Sequence, residues 1–183
     1  MSFFTSEIFN PKRKFRWIVE IDSGEELFKV AAKTVQKPNY TLEATQHKFL
    51  NHQFNFPNRV IWQPIDITFV DHEGSGQDTS VTTKLYDLLR KAGYQDPNSS
   101  LNCEVSPTKD KARRALKGVR IVQLSGDAKG AGEAAHSKRL EEWTLKNAFI
   151  SKVTFGDLSY DDDGLVEISC TFVYDFATYK ANP

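Results

Sequence analysis

The sequence predicts a mainly β fold with antiparallel pairing and one flanking α-helix. The clearest strand pattern lies between Val166 and Phe176, where six apolar residues alternate with other residues. Residues 15–22 and 60–70 show the same period of two and are rich in β-branched and aromatic residues. The sequence has no repeated strand–helix–strand units, which would indicate a parallel sheet.

Strands are predicted throughout residues 15–70. After the first strand, a Ser23-Gly24-Glu25 turn and a second apolar run predict a hairpin over residues 15–35. Residues 36–59 contain prolines and spaced aromatic residues, and we expect short, twisted strands there. Residues 60–70 predict one strand, in which Pro64 should lie at an edge or a bulge because it has no backbone N–H to donate.

The one predicted helix covers about residues 80–92. Its apolar residues recur at helical spacing along one face: Val81, Leu85, Leu88, Leu89 and Ala92. N-capping residues are available from Asp78 to Ser80, and Gly93 stands where a helix-terminating glycine belongs.

The second half of the chain is less regular. Residues 94–115 yield no assignment, residues 119–124 predict a strand, and residues 125–138 form a Gly/Ala-rich loop. Apolar residues then keep one parity from Trp143 to Phe155 and take the other at Leu158 and Tyr160, which predicts a bulge or bend near Gly156.

Length and composition predict one domain over residues 1–183, with an N-terminal arm (about 1–14) and long loops at 71–80 and 125–138. The formal net charge is zero, so no overall basic field attracts nucleic acid. The start lacks the features of a signal peptide, and no apolar run is long enough to cross a membrane, so we expect synthesis in a cytosol. The two cysteines form no disulfide framework or metal-binding spacing.

The charges are nevertheless clustered. Basic residues group near the start (Lys12, Arg13, Lys14, Arg16) and at 109–120, and acidic residues group between Asp157 and Glu167. Each cluster suits a solvated surface, which is the simpler interpretation, or a contact with an oppositely charged cluster on a neighbouring subunit.

The stretch Asp161-Asp162-Asp163-Gly164 resembles the start of a calcium loop. With Gly164 at the sixth position, Cys170 falls where the bidentate glutamate of an EF-hand is required, and the flanking segments predict strands rather than helices. Aspartate and glycine are also preferred in hairpin turns. We therefore predict an acidic turn that leads into the strand from Val166 to Phe176, and no metal site.

Other chemical motifs are weak. Gly130-Ala-Gly132 lacks the flanking strand and helix of a dinucleotide site, and no nucleophile elbow occurs. His47 and His52, read within one strand, would lie on opposite faces and could not chelate together. A β protein with basic clusters could bind single-stranded nucleic acid, but most aromatic residues here are in phase with aliphatic ones, as core residues are. We expect no catalytic residues and no cofactor.

The order of the segments resembles the tail tube proteins of contractile-tailed bacteriophages of the T-even type. The resemblance rests on "NPKRKFRWIVEID", on "VIWQPIDITFVD" leading to the helix, and on "EEWTLKNAFISKVTFGDLSYDDDGLVEISCTFVYDF". Within the last segment, the matching elements are Leu145, Phe149, Ile150, Gly156, Leu158, Tyr160, the acidic turn and Tyr174-Asp175-Phe176.

The resemblance implies an antiparallel β-sandwich or barrel that forms hexameric rings. In that family the rings stack into a tube in the phage tail, inside a contractile sheath, and genomic DNA passes through the lumen without specific binding. The implied partners are further copies of the chain and the sheath, baseplate and tail terminator proteins, in a virion assembled in the host cytoplasm. Candidate inter-subunit contacts are Lys12, Arg13, Lys14, Arg16, Asp161, Asp162 and Asp163.

Two alternatives remain open. A baseplate tube initiator, or the tube subunit of a related injection or type VI secretion system, would use the same assembly physics. A β-barrel nucleic-acid-binding protein is the alternative from another class, and it requires the 109–120 cluster to contact phosphate.

Overall fold

The computed structural model describes residues 11–22, 27–29, 32–73, 80–95, 106–125, 139–161 and 163–181. The strands are β1 (Trp17–Asp22), β2 (Leu27–Lys29), β3 (Ala32–Val35), β4 (Tyr40–Phe49), β5 (His52–Trp62), β6 (Ile65–Val70), β7 (Gly118–Leu124), β8 (Arg139–Lys146), β9 (Phe149–Thr154), β10 (Glu167–Val173) and β11 (Phe176–Ala181); the helices are α1 (Val81–Lys91) and α2 (Lys109–Ala115).

All strand pairs are antiparallel, as predicted. A five-stranded sheet has the order β11-β8-β7-β1-β2, a four-stranded sheet has the order β3-β6-β10-β9, and β4 and β5 form a two-stranded sheet among the described strands. Neither larger sheet closes on itself, so the fold is a β-sandwich rather than a barrel. The mainly β class is confirmed.

The core lies between the two larger sheets. Ile65, Ile67 and Phe69 of β6 are fully buried, and they alternate with partly or fully exposed residues because successive side chains point to opposite faces of a strand. Ile168, Cys170 and Phe172 of β10 repeat this pattern. Burial raises the pKa of the Cys170 thiol to about 12, so this thiol is inert packing.

The predicted helix is confirmed as α1. The Ser80 hydroxyl accepts the Thr83 backbone N–H at 3.2 Å, and Gly93 follows the helix with a φ of +109°. The prediction of a single helix was wrong, because α2 lies within the unassigned residues 94–115. α2 has seven residues, of which only Ala115 is buried, so no apolar stripe marked it in the sequence. No helix in the described ranges is both long and apolar enough to cross a membrane.

Three predicted strand boundaries were wrong. Pro64 separates β5 from β6 instead of lying within one strand over 60–70. Asn147, with a φ of +55°, separates β8 from β9, which belong to different sheets. The last predicted strand ends at Val173, and the chain then crosses to the other sheet as β11. The predicted 15–35 hairpin is confirmed for β1 and β2, whereas β3 joins the second sheet.

Candidate functional site

The most exposed regular structure is a long β-hairpin, formed by β4 and β5 and called here the projecting hairpin (residues 40–62). It continues the strand pair β3–β6 of the four-stranded sheet. Two backbone hydrogen bonds bridge the junction, from Gln36 N–H to the Asp66 carbonyl and from Gln63 N–H to the Asn39 carbonyl. Residues 32–70 thus form one long ribbon, interrupted near Pro38 and Pro64.

Every residue of the projecting hairpin except Trp62 is exposed. The exposed residues include large apolar side chains: Tyr40, Leu42, Phe49, Leu50, Phe54, Phe56, Val60 and Ile61. An isolated two-stranded hairpin is marginally stable in water, and a contiguous exposed apolar surface marks an interaction site. Strands were expected over residues 36–59, but short and twisted ones. The long exposed hairpin was not predicted, because the region contains two prolines and no Asn-Gly or Asp-Gly turn.

A β-bulge divides the projecting hairpin into two parts. The register shifts between Leu42 and Ala44, where β5 contains one extra residue. Before the bulge, Tyr40, Leu42, Val60 and Trp62 share one face; beyond it, Phe49, Phe54 and Phe56 share the opposite face. The apolar surface therefore changes sides along the ribbon.

The two histidines of this region lie on the aromatic face beyond the bulge. His47 pairs with Phe54, and His52 pairs with Phe49. The prediction that they lie on opposite faces was wrong, because the chain reverses at Leu50 and Asn51 between them.

Aromatic contacts attach the base of the projecting hairpin to the sandwich. The Trp62 ring lies 5.5 Å from the Tyr40 ring and 6.0 Å from the ring of Tyr174, a core residue. These contacts hold the base, whereas the tip has no such support among the described residues.

A pocket of about 500 Å³ opens beside β3, one of the two edge strands of the four-stranded sheet. Its floor includes Trp17, Ile121 and Trp143 from the other sheet. Lys12, Lys14, Lys33 and Lys37 also line it, together with one carboxylate, that of Glu141. We call it the lysine pocket.

The Glu141 carboxylate accepts hydrogen bonds from both Lys12 and Lys37. Burial alone would raise the pKa of Glu141, but these bonds outweigh it and leave the pKa below its ordinary value. The bond to Glu141 raises the pKa of Lys12, although burial opposes this. Both groups are thus held in their charged forms, unlike an acid–base pair that exchanges protons near neutral pH.

The remaining N-terminal basic residues lie beside this pocket. Arg16 lies over the Phe15 ring at 5.5 Å, and the Arg13 backbone carbonyl accepts a hydrogen bond from the Gln123 side chain. Lys14 lines the pocket and belongs to no ion pair of the described residues.

Three of the six cations in the basic cluster at 109–120 belong to ion pairs. Lys109 pairs with Asp175 at 2.7 Å, Arg114 with Asp110 at 2.9 Å, and Arg120 with the buried Glu20 at 3.2 Å. Cations paired in this way present a weakened field to phosphate.

The acidic turn (residues 155–166) joins β9 to β10, which pair as the predicted hairpin. Gly156 has a φ of +83°, and a Cβ there would lie 2.7 Å from the Glu167 carbonyl oxygen, so only glycine fits. Asp157, Asp161 and Asp163 are exposed, and Asp162 lies outside the described residues. Within the described part of the chain, no group of three or more His, Cys, Asp or Glu residues is placed to hold a metal ion.

Comparison with solved structures identifies the fold. A chain in the cryo-EM structure of the anti-feeding prophage (AFP) baseplate aligns with a TM-score of 0.66 and 16% identity, covering 95% of this chain and 98% of that one. A chain from the sheath–tube complex of PVC, an extracellular contractile injection system, aligns at 0.64 and 16%, covering 99% of each. A chain of the AFP tube-terminating cap aligns at 0.63 and 14%, also covering 99% of each.

The chain has the fold of these contractile-machine subunits. The resemblance to tail tube proteins is confirmed at the level of the fold. No protein-family model and no curated protein matches the chain. At these identities the likeness establishes the fold alone, so the role must be argued from the surfaces described above.

Proposed function

We propose that the chain is a structural, non-catalytic subunit of the tube of a contractile tail, which assembles into hexameric rings that stack into a channel. The observation that carries this proposal is the projecting hairpin. The exposed rings beyond its bulge, those of Phe49, Phe54 and Phe56, contact no other aromatic ring in the described part of the monomer, and neighbouring copies in a ring or a stack would cover them.

The four-stranded sheet supports ring formation. Its edge strands, β3 and β9, pair with no further described strand on their outer sides, and such edges pair readily with another chain. A head-to-tail contact that places β9 of one copy beside β3 of the next repeats around a ring and removes both edges when the ring closes.

The outward face of the same sheet suits a channel wall. It presents the short hydroxyl side chains of Thr68, Ser169 and Thr171, and the Thr171 hydroxyl donates to Asp66 at 2.6 Å. The Lys33 ammonium on this sheet is paired with Glu167. Lys152, which lies opposite Thr171, is an exposed cation of this face that belongs to no ion pair of the described residues. One such cation adds only a weak attraction for phosphate, so DNA could pass without specific binding.

Within this proposal, the partners are other copies of the chain and the sheath, baseplate and terminator proteins of a phage tail. The fold shared with AFP and PVC chains favours a second candidate, a tube or baseplate subunit of an extracellular contractile injection system. Both roles require the same ring and differ in cargo. Three of the six cations of the 109–120 cluster are paired, which weakens the case for a nucleic-acid-binding protein.

Matched substitutions in the projecting hairpin test the proposal. Phe54 and Asn55 are adjacent and lie on opposite faces, so Phe54→Asp and Asn55→Asp introduce the same charge on the apolar and the polar side. We expect the wild type and Asn55→Asp to form rings or tubes in negative-stain micrographs, and Phe54→Asp to remain a folded monomer because a carboxylate resists burial.

Circular dichroism checks that both variants are folded. Sedimentation over a range of protein and salt concentrations measures assembly. A wild-type chain that stays monomeric at every concentration would contradict the proposal, and so would equal loss of assembly in both variants.

A further inference from the structure

We propose that the acidic turn of one copy docks into the lysine pocket of the neighbouring copy, with Tyr160 entering the pocket and the aspartates facing its lysines. This contact rests on the proposed function, since it joins subunits of one ring. It assigns a role to two surfaces that the projecting hairpin does not involve.

The pocket offers an apolar floor and a basic rim. Trp17 and Trp143 form part of the floor. Of the four lysines that line the pocket, Lys33 is paired with Glu167, and two others share one carboxylate. Since Lys12 and Lys37 are held by Glu141, Lys14 is the cation best placed to meet an incoming group.

The acidic turn has the complementary composition. Tyr160 is fully exposed, with a relative accessibility of 110%, and Leu158 is 87% exposed. Asp157, Asp161 and Asp163 accompany them, and none belongs to an ion pair of the described residues. An aromatic side chain surrounded by carboxylates matches an aromatic floor surrounded by lysines.

The sheet order places these two surfaces on opposite sides of one subunit. The pocket adjoins β3, and the turn leaves β9, the other edge of the same sheet. The two edges are three strand spacings apart, about 14 Å. The head-to-tail contact that sets β9 of one copy beside β3 of the next therefore brings the turn of the first copy to the pocket of the second.

Charge exchange in the full-length protein tests the contact. Asp161→Lys and Lys14→Glu each place like charges together, and we expect each to raise the protein concentration needed for assembly by about tenfold or more. An equimolar mixture of the two variants should assemble like the wild type, because alternating copies restore a complementary pair at every contact. Asp110→Lys, on exposed α2, is the control and should leave assembly unchanged.

A cysteine pair reports the contact directly. Tyr160→Cys on one chain and Lys14→Cys on another should form a disulfide-linked dimer under mild oxidation of the assembled mixture. Assembly of the wild type with neither charge effects nor cross-linking would overturn the docking and leave the proposed function intact. A wild type that never assembles would overturn both. A cross-link within one chain that carries both cysteines, at high dilution, would show that the turn occupies its own pocket and would also overturn the docking.

Discussion

The two halves of the long ribbon over residues 32–70 are both antiparallel strand pairs but have opposite environments. In the inner half, Ile67 and Phe69 of β6 are 0% exposed beneath the second sheet. In the outer half, the projecting hairpin, Phe54 and Phe56 are 49% and 55% exposed. The two halves also differ in backbone pairing, because β6 pairs with β10 as well as with β3, whereas β4 and β5 form a two-stranded sheet. The inner half therefore has both a further strand and a covering layer that the outer half lacks.

This contrast shows which part of the chain is stabilised within the monomer. Burial of apolar area stabilises the inner half, since each large side chain contributes about 1.5–3 kcal/mol when it leaves water. The outer half retains apolar surface that folding alone does not remove. Substitutions in the inner half should change the stability of the monomer, and those in the outer half should change assembly.

The largest effect is expected from alanine at one phenylalanine in each half. Phe69→Ala should lower the free energy of unfolding by about 3–5 kcal/mol, because it leaves a cavity in the core. Phe56→Ala should change it by less than about 1 kcal/mol, since the side chain is half exposed, yet it should abolish assembly. Urea unfolding and sedimentation measure the two quantities. Equal loss of stability in both variants would remove the distinction between the halves.

A smaller effect is expected from the buried carboxylate of the lysine pocket. The pKa of Glu141 is lowered in the folded state. Its ionised carboxylate therefore stabilises the folded protein at pH values above the ordinary pKa of 4.5, and this stabilisation is lost as the pH falls through the folded pKa. Glu141→Gln should lower the free energy of unfolding by about 1–2 kcal/mol at pH 7. The loss is limited because its partners, Lys12 and Lys37, are half exposed to solvent.

Urea unfolding at pH 7 and at pH 3.5 measures this difference, which should shrink markedly at the lower pH. The effect of Phe54→Asp is of a different kind. This substitution should prevent assembly at pH 7 even though Glu141 is intact. A Glu141→Gln difference that stays constant with pH would show that charge is not its source.

The smallest effect concerns backbone strain at two positions. Leu50 at the hairpin tip and Asn147 between β8 and β9 both have a positive φ, of 51° and 55°. Leu50→Gly should stabilise the monomer by no more than about 1 kcal/mol, because it relieves a left-handed conformation at some cost in entropy. Asn147→Gly should give no gain, since it also removes a 2.6 Å hydrogen bond to Asp175. Thermal unfolding compares the stabilities of the two variants. An increase in stability for both would show that relief of backbone strain outweighs the lost hydrogen bond.

The sequence predicted the elements whose side chains alternate against a core. The strands β6 and β10 were recognisable because one face of each is buried, and β1 and β7 because they are rich in β-branched residues. The helix α1 was recognisable because its apolar stripe includes Val81, Leu85 and Leu88. In each case the pattern that predicts the element lies within one continuous segment of the chain.

The missed features depend on information that no local pattern carries. The projecting hairpin turns at Leu50, where a turn is not expected, and both of its faces contain apolar residues. The lysine pocket joins Lys12 and Lys37 to Glu141 across 129 and 104 residues of sequence, so only the folded chain brings them together. The contacts expected of Lys12, Arg13, Lys14, Arg16, Asp161, Asp162 and Asp163 remain predictions.

The one-residue bulge in β5 has a consequence for how rings would close. Because the apolar surface changes sides at the bulge, the base of the ribbon is held by its own subunit at Trp62, while the tip presents its aromatic face in the opposite direction. In a head-to-tail arrangement, the hairpin tip of each copy would pack against one neighbour, and the same copy would bind the tip of its other neighbour. An incomplete ring of any length would keep one hairpin tip uncovered at one end and one tip-binding surface unoccupied at the other. Only the subunit that closes the ring would remove both. Incomplete rings should therefore be rare, and populations of the protein should divide between monomers and complete rings.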